Sequence, residues 1–163
     1  MKTRTRFEIY LSMAAMMLMA TVAVPTAARQ VPFKGAFSGQ DTASHGASAT
    51  ELLDTAATGT GTHLGEFSFT QVLTVNLANL TATGSARWIA ANGDQIDTTV
   101  VSSAELSDIP DFLKVTEINT ITGGTGRFRG AQGSFTVERL HNMVTSATFG
   151  SFHGAITSPG AAR

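Results

Sequence analysis

The 163 residues contain no cysteine, which excludes disulfides, thiol chemistry and Cys-ligated metals. The single tyrosine, Tyr10, lies in the first 28 residues, so the chain beyond them has no phenol to act as acid or base. There is no basic run, and the formal net charge is −1; nucleic-acid and anionic-membrane binding are therefore not expected. No apolar stretch after the N-terminal segment reaches eighteen residues, so no transmembrane helix is expected there. No convincing amphipathic helix separates the β-patterned segments, which removes the α/β classes.

The N-terminus carries Lys2, Arg4 and Arg6, then an apolar run from Leu11 to Val24, then the small residues Thr26-Ala27-Ala28. This order predicts a secretory signal peptide over 1–28 and a secreted or periplasmic protein. Neither a twin arginine nor a lipid-accepting cysteine accompanies it. Residues 29–163 then form one domain, carrying 8 basic and 11 acidic side chains and held together by burial and hydrogen bonding alone.

The most distinctive stretch is Thr120 to Phe135, with Gly123, Gly124, Gly126, Gly130 and Gly133 around Phe128. Glycine permits φ > 0 and close backbone approach, and β-rich sequence lies on both sides, so the stretch predicts a specified strand-turn-strand connection. A phosphate loop is disfavoured. Ser134 to Leu140 places Phe135 and Val137 at strand spacing where a nucleotide fingerprint would open a helix, and no Gly-Lys-Ser/Thr follows.

Strand alternation recurs along the chain. Val31 to Gly39, Phe67 to Val75, Ala82 to Ala90, Gln95 to Val101, Leu113 to Thr122, Ser134 to Leu140 and Thr145 to Thr157 read as strands, with Gln40 to Ser48 a loop and Asn92-Gly93 a type I′ hairpin. In Thr50 to Thr58, Glu51-Leu52-Leu53 could open a helix turn, but the flanking Gly and Thr favour a strand. Trp88 is placed in the core. Eight antiparallel strands joined by short turns predict an all-β sandwich or closed barrel, and closure into an eight-stranded antiparallel β-barrel with room for side chains or one small ligand is the economical choice. A Gly-Thr-Gly-x-x-x-Gly spacing occurs twice, at Gly59, Gly61, Gly65 and at Gly124, Gly126, Gly130, each followed by Ser-Phe-Thr. The two copies introduce the third and seventh strands, which leaves a pseudo-twofold or chance repetition open; the second copy has one extra residue, suggesting a β-bulge.

The run from Gly123 to Gly133 resembles the Gly-Gly-Thr-Gly-x-Phe-x-x-Ala-x-Gly signature of the allene oxide cyclase and dirigent barrel superfamily. Gly61 to Gly65, Ala90 to Asp94 and Gly150 to Ile156 resemble a secreted bacterial branch of that superfamily whose members mostly lack an assigned activity. The resemblance implies an eight-stranded barrel with a central cavity, trimeric in many plant members, that works without metal or organic cofactor. In those relatives the cavity cyclises a fatty-acid-derived allene oxide or steers phenoxy-radical coupling. The matched positions are turn and packing residues, so they carry fold rather than chemistry.

Candidate chemistry is sparse. His63, His141 and His153 share no ligand-type spacing, so no metal site is expected, and Ser151 is one place early for a nucleophile elbow. Arg127 and Arg129 read as a solvated pair flanking an inward Phe128. Glu117 and Asn119 share a face with Val115 and Ile121, and Arg139 shares one with Phe135 and Val137; polar groups at apolar-face spacing are candidates for the cavity, an outer polar edge being the alternative. A hairpin symmetric about Phe128 would set Ile121 opposite Phe135, Asn119 opposite Val137 and Glu117 opposite Arg139. Two functions stand: a barrel that binds a small apolar ligand or serves as an envelope-associated module, and a cofactor-free isomerase or cyclase. The shortage of acid-base groups favours the first.

Overall fold

The computed structural model describes residues 29–45 and 49–157; the segment read as a signal peptide lies outside the described residues. Eight strands follow one another: β1 (Gln30–His45), β2 (Thr50–Gly61), β3 (Gly65–Asn76), β4 (Thr81–Ala90), β5 (Gln95–Leu106), β6 (Phe112–Gly124), β7 (Gly133–Asn142) and β8 (Ala147–Thr157). Each pairs antiparallel with the next, and β8 returns to β1, closing the barrel. Closure leaves no strand edge unpaired. The period-2 alternation survives almost intact, as in β3, where Phe67, Phe69, Gln71 and Leu73 point in and are buried.

The two ends of the barrel differ. At one end lie both termini of the barrel and the glycine turns. There Phe33, Phe37, Phe67, Phe69, Trp88, Phe135 and Phe152 fill the interior, with Phe69 stacked on Trp88 at 4.4 Å between ring centroids and Phe33 edge-on to Phe135 at 5.0 Å. Phe128, fully buried, closes that end as a plug. The other end is ringed by the β3–β4, β5–β6 and β7–β8 loops, whose Leu77, Leu106, Ile109, Met143 and Val144 are exposed.

Four expectations change. Residues 40–45 continue β1 instead of looping out, because the segment is hydrogen-bonded to β2 as far as His45 and brings Asp41 inside. The β4–β5 connection is a four-residue loop, Ala91 to Asp94, in which Gly93 alone takes positive φ (85°); a type I′ turn needs two such residues. The extra residue of the second glycine copy is absorbed by a 3-10 turn, Gly126–Phe128, and the irregularity in the ladder falls earlier, between Asp97 and Thr98 on β5, leaving Thr122 unpaired.

The fourth change is register. The β6–β7 hairpin centres on Arg127, not Phe128, so Glu117 faces Val137, Asn119 faces Phe135, and Arg139 faces Val115. The 3-10 turn and Gly130 lengthen the connection and move the pairing by two residues, which keeps every side chain on its original face.

Candidate functional site

Between the aromatic plug and the looped end, the interior turns polar. Asp41 on β1, Thr55 on β2, Gln71 on β3, Thr98 and Ser102 on β5, Glu117 and Asn119 on β6, Arg139 on β7 and Thr148 on β8 are all buried. All sit at inward positions of their strands. Burying a charge is costly unless it is paired and hydrogen-bonded, and this group is organised around one guanidinium.

Arg139 donates from Nε to Oε1 of Glu117 at 2.8 Å, and from Nη1 to Oδ2 of Asp41 at 2.8 Å and Oγ1 of Thr148 at 2.9 Å. Gln71 donates from Nε2 to the same Glu117 oxygen at 3.1 Å. Thr55 donates to Oδ1 of Asp41 at 2.6 Å, and Nδ1 of His141 lies 2.6 Å from Oδ2. Gly150 lies opposite Arg139 and lets the two strands approach: an added Cβ would come within 2.6 Å of Arg139 Cβ. A second polar pair lies deeper, where Thr98 donates to Oδ1 of Asn119 at 2.8 Å; Nδ2 of Asn119 and Nε1 of Trp88 have no partner.

The electrostatics follow from the geometry. Burial alone would push Asp41 up, but the hydrogen bond from His141, the Arg139 charge and the hydrogen bond from Thr55 outweigh it, and the carboxyl sits below its ordinary value. Burial would likewise lower Arg139, yet the charges of Glu117 and Asp41 beside it hold it above the ordinary guanidinium value. Both groups are thus fixed in their charged forms.

A cavity of about 110 Å³ opens beside this cluster at the looped end. Leu53, Leu73, Val75 and Leu113 supply apolar wall, and Glu51, Ser102, Arg139 and His141 supply polar points. The aromatic packing blocks the opposite end, so this is the entrance the fold leaves. A broader hollow of about 480 Å³ on the outer wall, against Lys114, Leu140 and Phe149, is shallow and widely open to solvent. The inner cavity is the better enclosed, and it alone touches the buried cluster through both Arg139 and His141.

The structure brings Glu117 and Arg139 together inside the barrel and puts Asn119 near them on the same strand face, joined to Thr98 and not to Arg139. Gly123, Gly124, Gly126, Phe128, Gly130 and Gly133 lie at the plugged end, remote from the cavity. His63 and His153 are exposed and apart from His141, and no group of three metal-ligating side chains occurs among the described residues. Arg127 leans over the Phe128 ring at 5.0 Å and lies 3.7 Å from Asp94, whereas Arg129 is exposed. Asp41, Thr55, Gln71 and Thr148 escaped sequence reasoning. The period-2 pattern carried the signal for three of them, since each shares parity with apolar inward neighbours.

Neither a protein-family model nor a curated protein matches this sequence. Among solved structures, the pterocarpan synthase dirigent protein GePTS1 is similar, with a TM-score of 0.59, covering 80% of this chain and 88% of that one at 11% identity. The fold is dirigent-like. At that identity the likeness extends to the barrel and not to the side chains within it.

Proposed function

We propose that the barrel binds a small, largely apolar molecule through the cavity at its looped end. The carrying observation is the pairing of an apolar-walled cavity with a preorganised polar floor, Arg139 and His141 both tied to Asp41. The exposed Leu77, Ile109 and Met143 around the entrance give an apolar ligand a path in. The N-terminal pattern supports export, and the sequence resemblance supports a place in the secreted bacterial branch; both belong to this reading as proposals.

A second reading, a cofactor-free isomerase or cyclase, is favoured by one feature: His141 and Arg139 meet on a single carboxylate oxygen beside a cavity, as an acid-base group and an anion stabiliser would. The experiment is native mass spectrometry of protein purified from its own host, with Ala104→Trp as the cavity-filling control, since Ala104 lines the space. A retained small molecule that Ala104→Trp loses supports the binding reading. A molecule consumed and returned as an isomer supports the second. No retained molecule, together with no binding of added toluene, would reject both.

A further inference from the structure

We infer that the cavity selects a small amphiphilic primary amine, its ammonium held at Glu51 and His141 and its apolar body against Leu53, Leu73 and Val75. The inference rests on the binding reading above and adds the chemistry of the ligand's polar end.

The first argument is charge. The buried cluster contains two carboxylates, Asp41 and Glu117, against one guanidinium, so its formal charge is negative, and Glu51 on the cavity wall adds another negative charge. Arg139 invites the opposite conclusion, because a guanidinium beside an apolar cavity suits a carboxylate ligand. Its fork is spent, however. Nε is committed to Glu117 and Nη1 to Asp41 and Thr148, which leaves only Nη2 and no parallel pair of N–H groups for a bidentate anion. An incoming carboxylate would meet one free nitrogen, Nη2, whose two N–H groups diverge, and a net negative surround.

The second argument is the set of acceptors. Asp41 is ionised and accepts from Nδ1 of His141, so a neutral imidazole carries its proton on Nδ1 and leaves the Nε2 lone pair free. Nε2 has no partner among the described residues, and the ring is partly exposed on the cavity wall. The cavity therefore offers Nε2 of His141, the Glu51 carboxylate and the Ser102 hydroxyl, all able to accept, to a group with three donors. The ladder partners of His141, Leu113 on β6 and Thr148 on β8, are uncharged; the charged groups around it inside the barrel are Asp41 on β1, Glu51 of β2 on the cavity wall and Arg139 on its own strand, and the balance is acidic. Beyond the rim, Glu105, Asp108 and Asp111 on the β5–β6 side outnumber Lys114, which pairs with Glu105 at 3.3 Å, so the approach also favours a cation.

The test is titration of the full chain with hexylamine, hexanol and hexanoate at neutral pH, followed by calorimetry and by the ring resonances of His141. Hexylamine should bind about tenfold or more tightly than hexanoate, with hexanol between them. Glu51→Gln should weaken hexylamine by roughly fivefold or more and leave hexanol within about twofold. His141→Phe should weaken amine and alcohol alike; if that variant fails to fold, Glu51→Gln carries the test by itself. Hexanoate binding as tightly as hexylamine, or Glu51→Gln leaving hexylamine unchanged, overturns the inference. Hexanol binding without a preference for the amine sinks this inference and spares the apolar-ligand reading, whereas no binding of any of the three removes both.

Discussion

Arg139 and Glu117 form a buried ion pair, Nε to Oε1 at 2.8 Å, although they are not opposite one another: Glu117 pairs with Val137 and Arg139 with Val115. The contact is diagonal across the β6–β7 ladder, a separation that only long side chains bridge. Asp41 reaches the same guanidinium from β1, so the pair belongs to a triad and not to a simple cross-strand couple.

Arg139→Ala should cost about 3 to 5 kcal/mol. Glu117→Ala should cost about 1 to 3 kcal/mol, because Asp41 still compensates the guanidinium while Nε of Arg139 and Nε2 of Gln71 lose their acceptor. Arg139→Ala should be the worse, since it strands two carboxylates. The double variant should cost clearly less than the two singles added together, and urea midpoints at neutral pH measure the difference. Strict additivity would mean the pair is not coupled.

Asp41 contributes stability with a definite pH dependence. Its folded value is depressed, so the contribution is fully present above the unfolded carboxyl value of about 3.9 and is lost as pH falls through the folded value. The gap in urea midpoint between the parent and Asp41→Asn should therefore be widest from about pH 4 upward and narrow in more acidic solution. A gap that stays constant from neutral pH to pH 2 would show that Asp41 acts through packing alone.

Gly126 has φ of 53°, and an added Cβ would collide with the Asp94 carboxylate, which accepts the Arg127 N–H at 3.2 Å and ties the β4–β5 loop to the glycine turn. Gly126→Val should cost about 1 to 3 kcal/mol. Gly123→Ala is the control. Its φ is ordinary and its Cβ position is open, so the change should stay within about 0.5 kcal/mol. An unchanged midpoint for Gly126→Val would refute the turn argument.

Strand alternation made the barrel legible, because inward and outward positions differ chemically in most strands. It grouped Glu117 and Asn119 with Val115 and Ile121, and Arg139 with Phe135 and Val137, but left an outer polar edge open; their burial puts those faces inside. It could not give the partner. Moving a ladder by two residues leaves the in-out pattern identical, so the sequence around Phe128 is equally compatible with either register. Asp41 was lost for a different reason. It lies among Gln40, Thr42, Ala43 and Ser44, a composition that reads as loop, and a strand whose inward residue is a carboxylate inverts the rule by which strands are recognised. Its partners identify it as interior: Thr55 across the β1–β2 ladder, and Arg139 and His141 on β7 about a hundred residues away.

The ladder between β1 and β8 joins Gln30 to Thr157, the extremes of the described barrel. A chain that has made seven ladders still has two raw edges, β1 and β8, and neither can be satisfied before the last strand exists. The seam is therefore the natural site of kinetic vulnerability: its closure spans the greatest sequence separation and should come late. Truncation within β8 would expose β1 and β7 as templates for intermolecular pairing. The same eight ladders that leave the finished molecule without a sticky edge make every unfinished one self-associating.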